Sequence, residues 1–200
     1  MTASEPCHAL WQQGWYAPAC ALPSPNFGPR PAQVEIDLLV IHSISLPPGE
    51  YGGAQVQHLF TNQLDWDSHP WLAQIRGLQV SAHFYIQRDG KLWQFVSCDD
   101  RAWHAGRSNH LGRDNCNDFS IGIELEGLED GPFEAAQYAT LNQLSAAIVQ
   151  HYPIRHVAGH QHIAPGRKGD PGAQFNWQAL QHALGWPAER FPAQTQVDQG

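Results

Sequence analysis

Val34-Glu-Ile-Asp-Leu-Leu-Val-Ile-His42 decides the architecture of this chain. The stretch turns apolar and β-branched over its length, which reads as a central strand covered on both faces. His42 closes it at the C-terminal end. The segment 45–53, Ser-Leu-Pro-Pro-Gly-Glu-Tyr-Gly-Gly, then breaks regular structure ahead of a short helix expected from Val56 to Asn62. Val80 to Gln87 reads as a second strand and Lys91 to Val96 as a third, with Asp89-Gly90 between them as a hairpin signal. Residues 99–118 read as loop. Phe119 to Glu126 is a further strand, and Glu134 to Tyr152 is the clearest helix, since Tyr138, Leu141, Leu144 or Ser145, Ile148 and Tyr152 recur near helical spacing. Pro153 stops it. A short strand at 155–158 and a last helix from Asn176 to Leu184 complete the order.

Upstream of the opening strand, residues 1–33 hold six of the fifteen prolines and little periodicity. They read as an irregular arm packed on the domain, with Trp11, Trp15 and Phe27 docking on the core. Residues 34–184 are the domain proper and 185–200 a polar tail, partly disordered. Two hundred residues of 42% hydrophobic content suffice for a single α/β (α+β) domain with a sizeable core, and no linker or charge block divides the chain. The formal charge of −8 and the lack of a basic stripe exclude a nucleic-acid surface. No apolar run approaches the roughly 20 residues of a membrane span, and the N-terminus carries no secretory pattern, so a cytoplasmic protein is expected. Cys7, Cys20, Cys98 and Cys116 form no C-x-x-C pair and are expected as reduced thiols, with two disulfides as the alternative.

Chemistry concentrates in His160-Gln-His-Ile-Ala-Pro-Gly-Arg-Lys-Gly-Asp170-Pro171, which packs imidazole, ammonium and carboxylate into a Pro/Gly segment unfavourable to a helix. His160 and Asp170 reach one metal ion if the loop curls back, as Pro165, Gly166 and Gly169 permit. Pro171 biases Asp170 toward extended backbone, which turns Lys168 and Asp170 to the same side. The same alternation points His162 away from His160. A salt-bridged surface loop is the plain alternative. A further ligand is expected from a strand end, where His42 fits. His83 competes for that place, although a mid-strand position beside Ser81 and Tyr85 suits a supporting role better. A base is expected on the strand Phe119 to Glu126, where Ser120, Gly122, Glu124 and Glu126 share one face. Alternation does not choose between Glu124 and Glu126.

Five segments bring a family into view. Ile41-His-Ser-Ile-Ser-Leu-Pro-Pro-Gly49, Val80-Ser-Ala-His-Phe84, Arg101-Ala-Trp-His-Ala-Gly106, Cys116-Asn-Asp-Phe-Ser-Ile-Gly-Ile-Glu-Leu-Glu-Gly127 and Gly159-His-Gln-His-Ile-Ala-Pro-Gly-Arg-Lys-Gly-Asp-Pro-Gly172 occur in that order. Together they closely resemble the AmpD-like zinc amidases, bacterial cytoplasmic enzymes of 1,6-anhydro-N-acetylmuramyl-L-alanine, whose family also includes the peptidoglycan-recognition proteins. The resemblance covers roughly residues 14–182. It implies the peptidoglycan-recognition-protein/AmpD-like fold, a mixed central β-sheet flanked by helices. It implies one zinc ion per chain held by His42, His160 and Asp170, with Glu124 rather than Glu126 as the base and Lys168 stabilising the oxyanion. The implied reaction is hydrolysis of the lactyl–L-Ala amide of an anhydro-muramyl peptide, in recycling of wall turnover products.

For substrate contacts, Trp103 and His104 are expected to line the sugar end, and Arg113 to meet a stem-peptide carboxylate unless it is a solvated loop charge. The chain departs from family habit at Ser43, where an Asn often follows the first ligand. It departs again at Gln79 and Asn115, where some relatives carry peptide-gripping arginines. Two other readings stand beside this one. A peptidoglycan-fragment sensor on the same fold typically lacks one ligand, whereas here every position is filled. An amidase acting on intact wall outside the cytoplasm would need an export signal.

Overall fold

Leu38, Leu39, Val40 and Ile41 are each 0% exposed because the strand they build is paired on both edges and covered on both faces. The structure, a computed structural model, describes residues 10–192. In chain order the elements are β1 (Cys20–Ala21), β2 (Leu38–Ile44), α1 (Gln55–Phe60), β3 (Phe84–Ile86), β4 (Leu92–Gln94), β5 (Ser120–Glu126), α2 (Ala135–His151), β6 (His156–Gly159), α3 (His160–Ile163) and α4 (Trp177–Leu184). Six strands make one sheet in the order β6-β2-β5-β3-β4-β1. The run β6, β2, β5, β3 is parallel, β4 turns antiparallel to β3, and β1 lies parallel to β4. The sheet is therefore mixed, with helices packed against it. Among the described residues no helix is long and apolar enough to cross a membrane.

Period-two alternation sorts the side chains. Leu39 and Ile41 of β2 and Ile121, Ile123 and Leu125 of β5 join the core that holds Leu141, Leu144 and Ile148 of α2 and Leu180 of α4. Leu38, Val40 and His42 take the other face, with Gly122, Glu124 and Glu126 beside them. The register sets His42 directly opposite Glu124 and Ile41 opposite Gly159. The carboxyl ends of three parallel strands thus meet at one place, where open α/β sheets bind ligands.

Most elements fall where the sequence places them, with boundaries trimmed. β2 starts at Leu38 rather than Val34, because its partners Ser120 and His156 begin there. β3 spans three residues, leaving His83 just outside the strand. Gly90, at φ +86°, makes the expected turn between β3 and β4. Glu134 caps α2 in a box with Gln137, and Asn176 caps α4 by accepting from the Ala179 N–H. The opening of the His160 segment is a correction: residues 160–163 form a helical turn.

The arm enters the fold more deeply than docking aromatics alone would require. Its residues 20–21 supply the edge strand, and Leu22 and Ser24 donate their N–H groups to the carbonyls of Gln94 and Phe95. Trp11 packs edge-on to Phe84 and Tyr152 and stacks on His151, and Trp15 is half-buried. Phe27, by contrast, is 46% exposed and does not dock. The arm's main fastener is Arg30, whose guanidinium donates to the carbonyls of Cys98, Asn117, Asp118 and Ser120. Burial lowers its pKa to about 10, which leaves it charged at neutral pH. At the other end, the stretch expected as a polar tail begins with Trp186 packed on the core and a buried Phe191. Residues 193–200, and Cys7 in the arm, lie outside the described residues. Cys20, Cys98 and Cys116 are free thiols.

Arg30→Ala should destabilise the protein by about 3 kcal/mol or more, since it strands carbonyls that a charged donor satisfies. Arg30→Lys should recover less than half, because one compact ammonium cannot reach all four acceptors. Urea denaturation midpoints of the three proteins check both expectations.

Candidate active site

Three side chains converge at the strand ends. His42 Nδ1 lies 3.0 Å from His160 Nδ1, and each lies 3.1 Å from Asp170 Oδ2. All three residues are buried, and their donor atoms fit within 4.8 Å of one another, a group able to hold a metal ion. His42 comes from β2, and His160 opens α3 directly after β6. Asp170 returns on the loop because the Gln161 N–H donates to the Asp170 carbonyl and the Gly172 N–H donates to Gln161 Oε1. Burial lowers the His42 pKa to about 4, so at neutral pH its ring is uncharged and keeps a lone pair for ligation. Burial alone would raise the Asp170 carboxyl, but the hydrogen bonds from His160 and His42 pull it well below the usual carboxylate range.

His162 stands apart from this group. On a helical turn, residues two apart project to nearly opposite sides. Its Nδ1 accepts from the Gly159 N–H at 2.9 Å, and its ring packs on Trp177. His83 is likewise occupied: Nδ1 accepts from the Gly122 N–H, and Nε2 faces the Asp100 carbonyl and Arg30.

The two carboxylates left open by alternation differ in this structure. Glu126 accepts the Gly52 N–H at Oε1 and the Arg88 N–H at Oε2, at 2.6 and 2.9 Å. Glu124 faces the metal-competent group, and its buried Oε2 has no hydrogen-bond partner among the described residues. Burial raises the Glu124 pKa well above the ordinary value, and the Asp170 charge adds to the rise while Lys168 opposes it. Lys168 itself is exposed.

Glu124, His160, Lys168 and Asp170 line one cleft of about 690 Å³. One wall is apolar, from Trp71, Ile75, Leu78 and Val80, while Glu129 and Asp130 stand at the rim. Apart from Val80, that apolar wall is absent from the sequence reading: the turn that bears Ile75, Leu72–Ile75, is too short to show periodicity. Trp103 borders the cleft. His104 borders it too, but its ring turns inward, with Nδ1 2.9 Å from His42 Nε2 and Nε2 3.1 Å from Ser120 Oγ. Arg113 lies outside the cleft lining. It pairs with Asp37 at 2.6 Å and covers the Phe119 ring at 3.7 Å.

Comparison with known proteins places this geometry. The N-acetylmuramoyl-L-alanine amidase family matches residues 32–173. The chain is 49% identical over 170 residues to the 1,6-anhydro-N-acetylmuramyl-L-alanine amidase AmpD of Escherichia coli K12, covering 84% of this chain and 93% of that protein. A crystal structure of a selenomethionine AmpD derivative superposes with a TM-score of 0.85 at 47% identity, covering 88% of this chain and 99% of the other. The Drosophila peptidoglycan-recognition protein SA shares the fold, with a TM-score of 0.57 at 17% identity over 87% of this chain and 90% of that one.

The burial of Glu124 has a consequence for stability. Its folded pKa lies above the unfolded value, so between the two values the folded state keeps a proton that the unfolded state has lost. Stability therefore falls as pH rises through that window. Glu124→Gln removes the penalty. The metal-free variant should melt above the wild type at pH about 7, by about 2–4 °C for each kcal/mol relieved, and the two should converge at pH about 3.5. Thermal melts at both pH values check this.

Proposed function

The chain belongs to the N-acetylmuramoyl-L-alanine amidase family and is an amide hydrolase, and we propose that it is a zinc enzyme cleaving the lactyl–L-Ala amide of 1,6-anhydro-N-acetylmuramyl peptides. The observation that carries this reading is the convergence of His42, His160 and Asp170, two of which line a cleft that also holds Glu124 and Lys168. The donor set fits zinc: two imidazoles and one carboxylate are ligands of the kind and number that catalytic zinc sites use. Zinc held there would supply Lewis acidity to the amide carbonyl and bring the pKa of a water down to about 7.

The chain's own groups do the rest. Glu124, its pKa raised toward the working range, takes a proton from the attacking water and passes it to the departing amine of L-Ala. A carboxylate with no competing hydrogen-bond partner at Oε2 among the described residues is free to do both. Lys168 sits in the same cleft and neutralises the oxygen that becomes negative as the carbonyl turns tetrahedral. Trp103 offers an aromatic face to the sugar end. Arg113 is not assigned to the stem peptide, because it lies outside the cleft lining and pairs with Asp37. With Gln79 and Asn115 where some relatives carry arginines, the peptide is gripped with less positive charge than in those relatives. Recycling of turnover fragments in the cytoplasm is the role that suits such a substrate, and the free thiols at Cys20, Cys98 and Cys116 are compatible with that compartment.

The test is to incubate the zinc-loaded protein with 1,6-anhydro-N-acetylmuramyl tripeptide and identify products by mass. Anhydro-muramic acid and the intact tripeptide are expected, with one zinc per chain by elemental analysis. His42→Ala, His160→Ala or Asp170→Ala should abolish turnover, and Lys168→Ala should lower kcat by about 100-fold or more. Full activity in a chelated, metal-free preparation would sink the zinc reading, and binding without cleavage would favour a sensor.

A further inference from the structure

Both histidines of the metal-competent group turn Nδ1 inward, which leaves two Nε2 atoms pointing out, and consecutive residues receive them. His42 Nε2 lies 2.9 Å from His104 Nδ1, and His160 Nε2 lies 3.1 Å from the Ala105 carbonyl oxygen. We propose that the dipeptide His104–Ala105 is a positioning clamp that fixes the tautomer and ring orientation of both imidazole ligands, with His104 acting as an acceptor held in that state by Ser120. The inference rests on the zinc reading above and goes beyond it by assigning His104 to the ligands rather than to the sugar.

The direction of the hydrogen bonds follows from counting protons. An uncharged imidazole carries one N–H. When Nδ1 of His42 gives its lone pair to a metal, the proton stands on Nε2 and points at His104 Nδ1. That nitrogen must then accept, so the His104 proton stands on Nε2, 3.1 Å from Ser120 Oγ. The Ser120 hydroxyl donates in turn to the Cys116 carbonyl at 2.6 Å, which leaves its oxygen free to accept from His104. The relay ends on a group that cannot donate, so it runs one way. At His160 the count is simpler, because a carbonyl only accepts.

The clamp is itself held. Asn117 Oδ1 accepts both the His104 and the Ala105 N–H, at 3.1 and 2.8 Å. Arg167 donates to the Ala105 carbonyl at 2.8 Å, beside His160. Room for the His104 ring is made on β5 by Gly122, where an added Cβ would lie 2.6 Å from ring atoms. With both ring nitrogens committed, His104 has none left for a substrate hydroxyl.

The test measures zinc affinity of the full chain by competition with a chromogenic chelator. It also reads the imidazole nitrogens of the zinc-loaded wild type by ¹⁵N NMR, with melting of each metal-free variant as a check on folding. His104→Leu, which removes the acceptor, should weaken zinc binding by about 10–100-fold, the usual effect of losing an outer partner of a ligand. His104→Asn, whose amide oxygen falls near the place of Nδ1, should restore most of that loss. Ser120→Ala should weaken binding by a smaller factor. The spectrum should show His42 and His104 each protonated on Nε2 alone. Wild-type affinity in a folded His104→Leu, or a proton on His104 Nδ1, overturns the proposal. A wild type that binds no zinc overturns both this and the reading it rests on, whereas a wild type and His104→Leu that bind zinc equally overturn this one alone. Should His104→Leu fail to fold, the wild-type tautomers and the Ser120→Ala affinity decide.

Discussion

The pairing of β2 with β5 is the constraint on which the rest of the molecule depends. Seven consecutive residue pairs run parallel along it, and the fifth sets Glu124 opposite His42. β6 pairs with the other edge of β2 and ends opposite Ile41, so the residue that follows it, His160, emerges beside His42. A slip of one residue by either strand would turn its His42 or Glu124 toward α2 and send its apolar side chains into the cleft. Register in this sheet is therefore enforced by the core and inherited by the chemistry. Leu39, Ile41, Ile121 and Ile123 hold the alignment, and the polar residues between them need no further device to meet.

What the core provides, the site spends. Glu124 is a buried carboxyl with an oxygen that no described residue satisfies, set near the charge of Asp170 and facing an exposed Lys168. Its neighbour Glu126, two residues on and on the same face, is fully engaged with backbone N–H groups. One strand face thus carries two carboxyls of opposite character, one held by backbone donors at both oxygens, the other buried with an oxygen that no described residue satisfies. Burial acts on both; the difference lies in the loops at 52 and 88, which bring donors to Glu126 and not to Glu124.

Much of this was legible in the sequence, for identifiable reasons. The strand at Leu38–Ile44 and the alternation around Glu124 are local patterns with a fixed period, and so was the helix from Ala135 to His151. The His160 segment announced its chemistry by composition, although its first turn folds as a helix. Missing were features that depend on which distant segments meet. Nothing near Arg30 signals that its guanidinium will face four carbonyls drawn from residues 98 to 120. Nothing in Trp103-His104-Ala105 shows that the imidazole turns away from the cleft to meet His42, because that orientation is imposed by Gly122 and Asn117. The apolar cleft wall rests on a turn too short for any periodicity to register.

Arg30 also carries a consequence for the order in which the molecule comes together. Its acceptors at Asp118 and Ser120 lie 88 and 90 residues further along the chain. Contacts across such separations close late, since the loop entropy is lost before the contact rewards it. During synthesis from the N-terminus, the arm emerges long before the carbonyls that will receive it. The edge strand at 20–21 faces the same delay, because its partner β4 comes some seventy residues later. The arm is thus made before its partners yet is among the last segments to lock, and until it does, the sheet stands with one edge unpaired and open to the wrong partner.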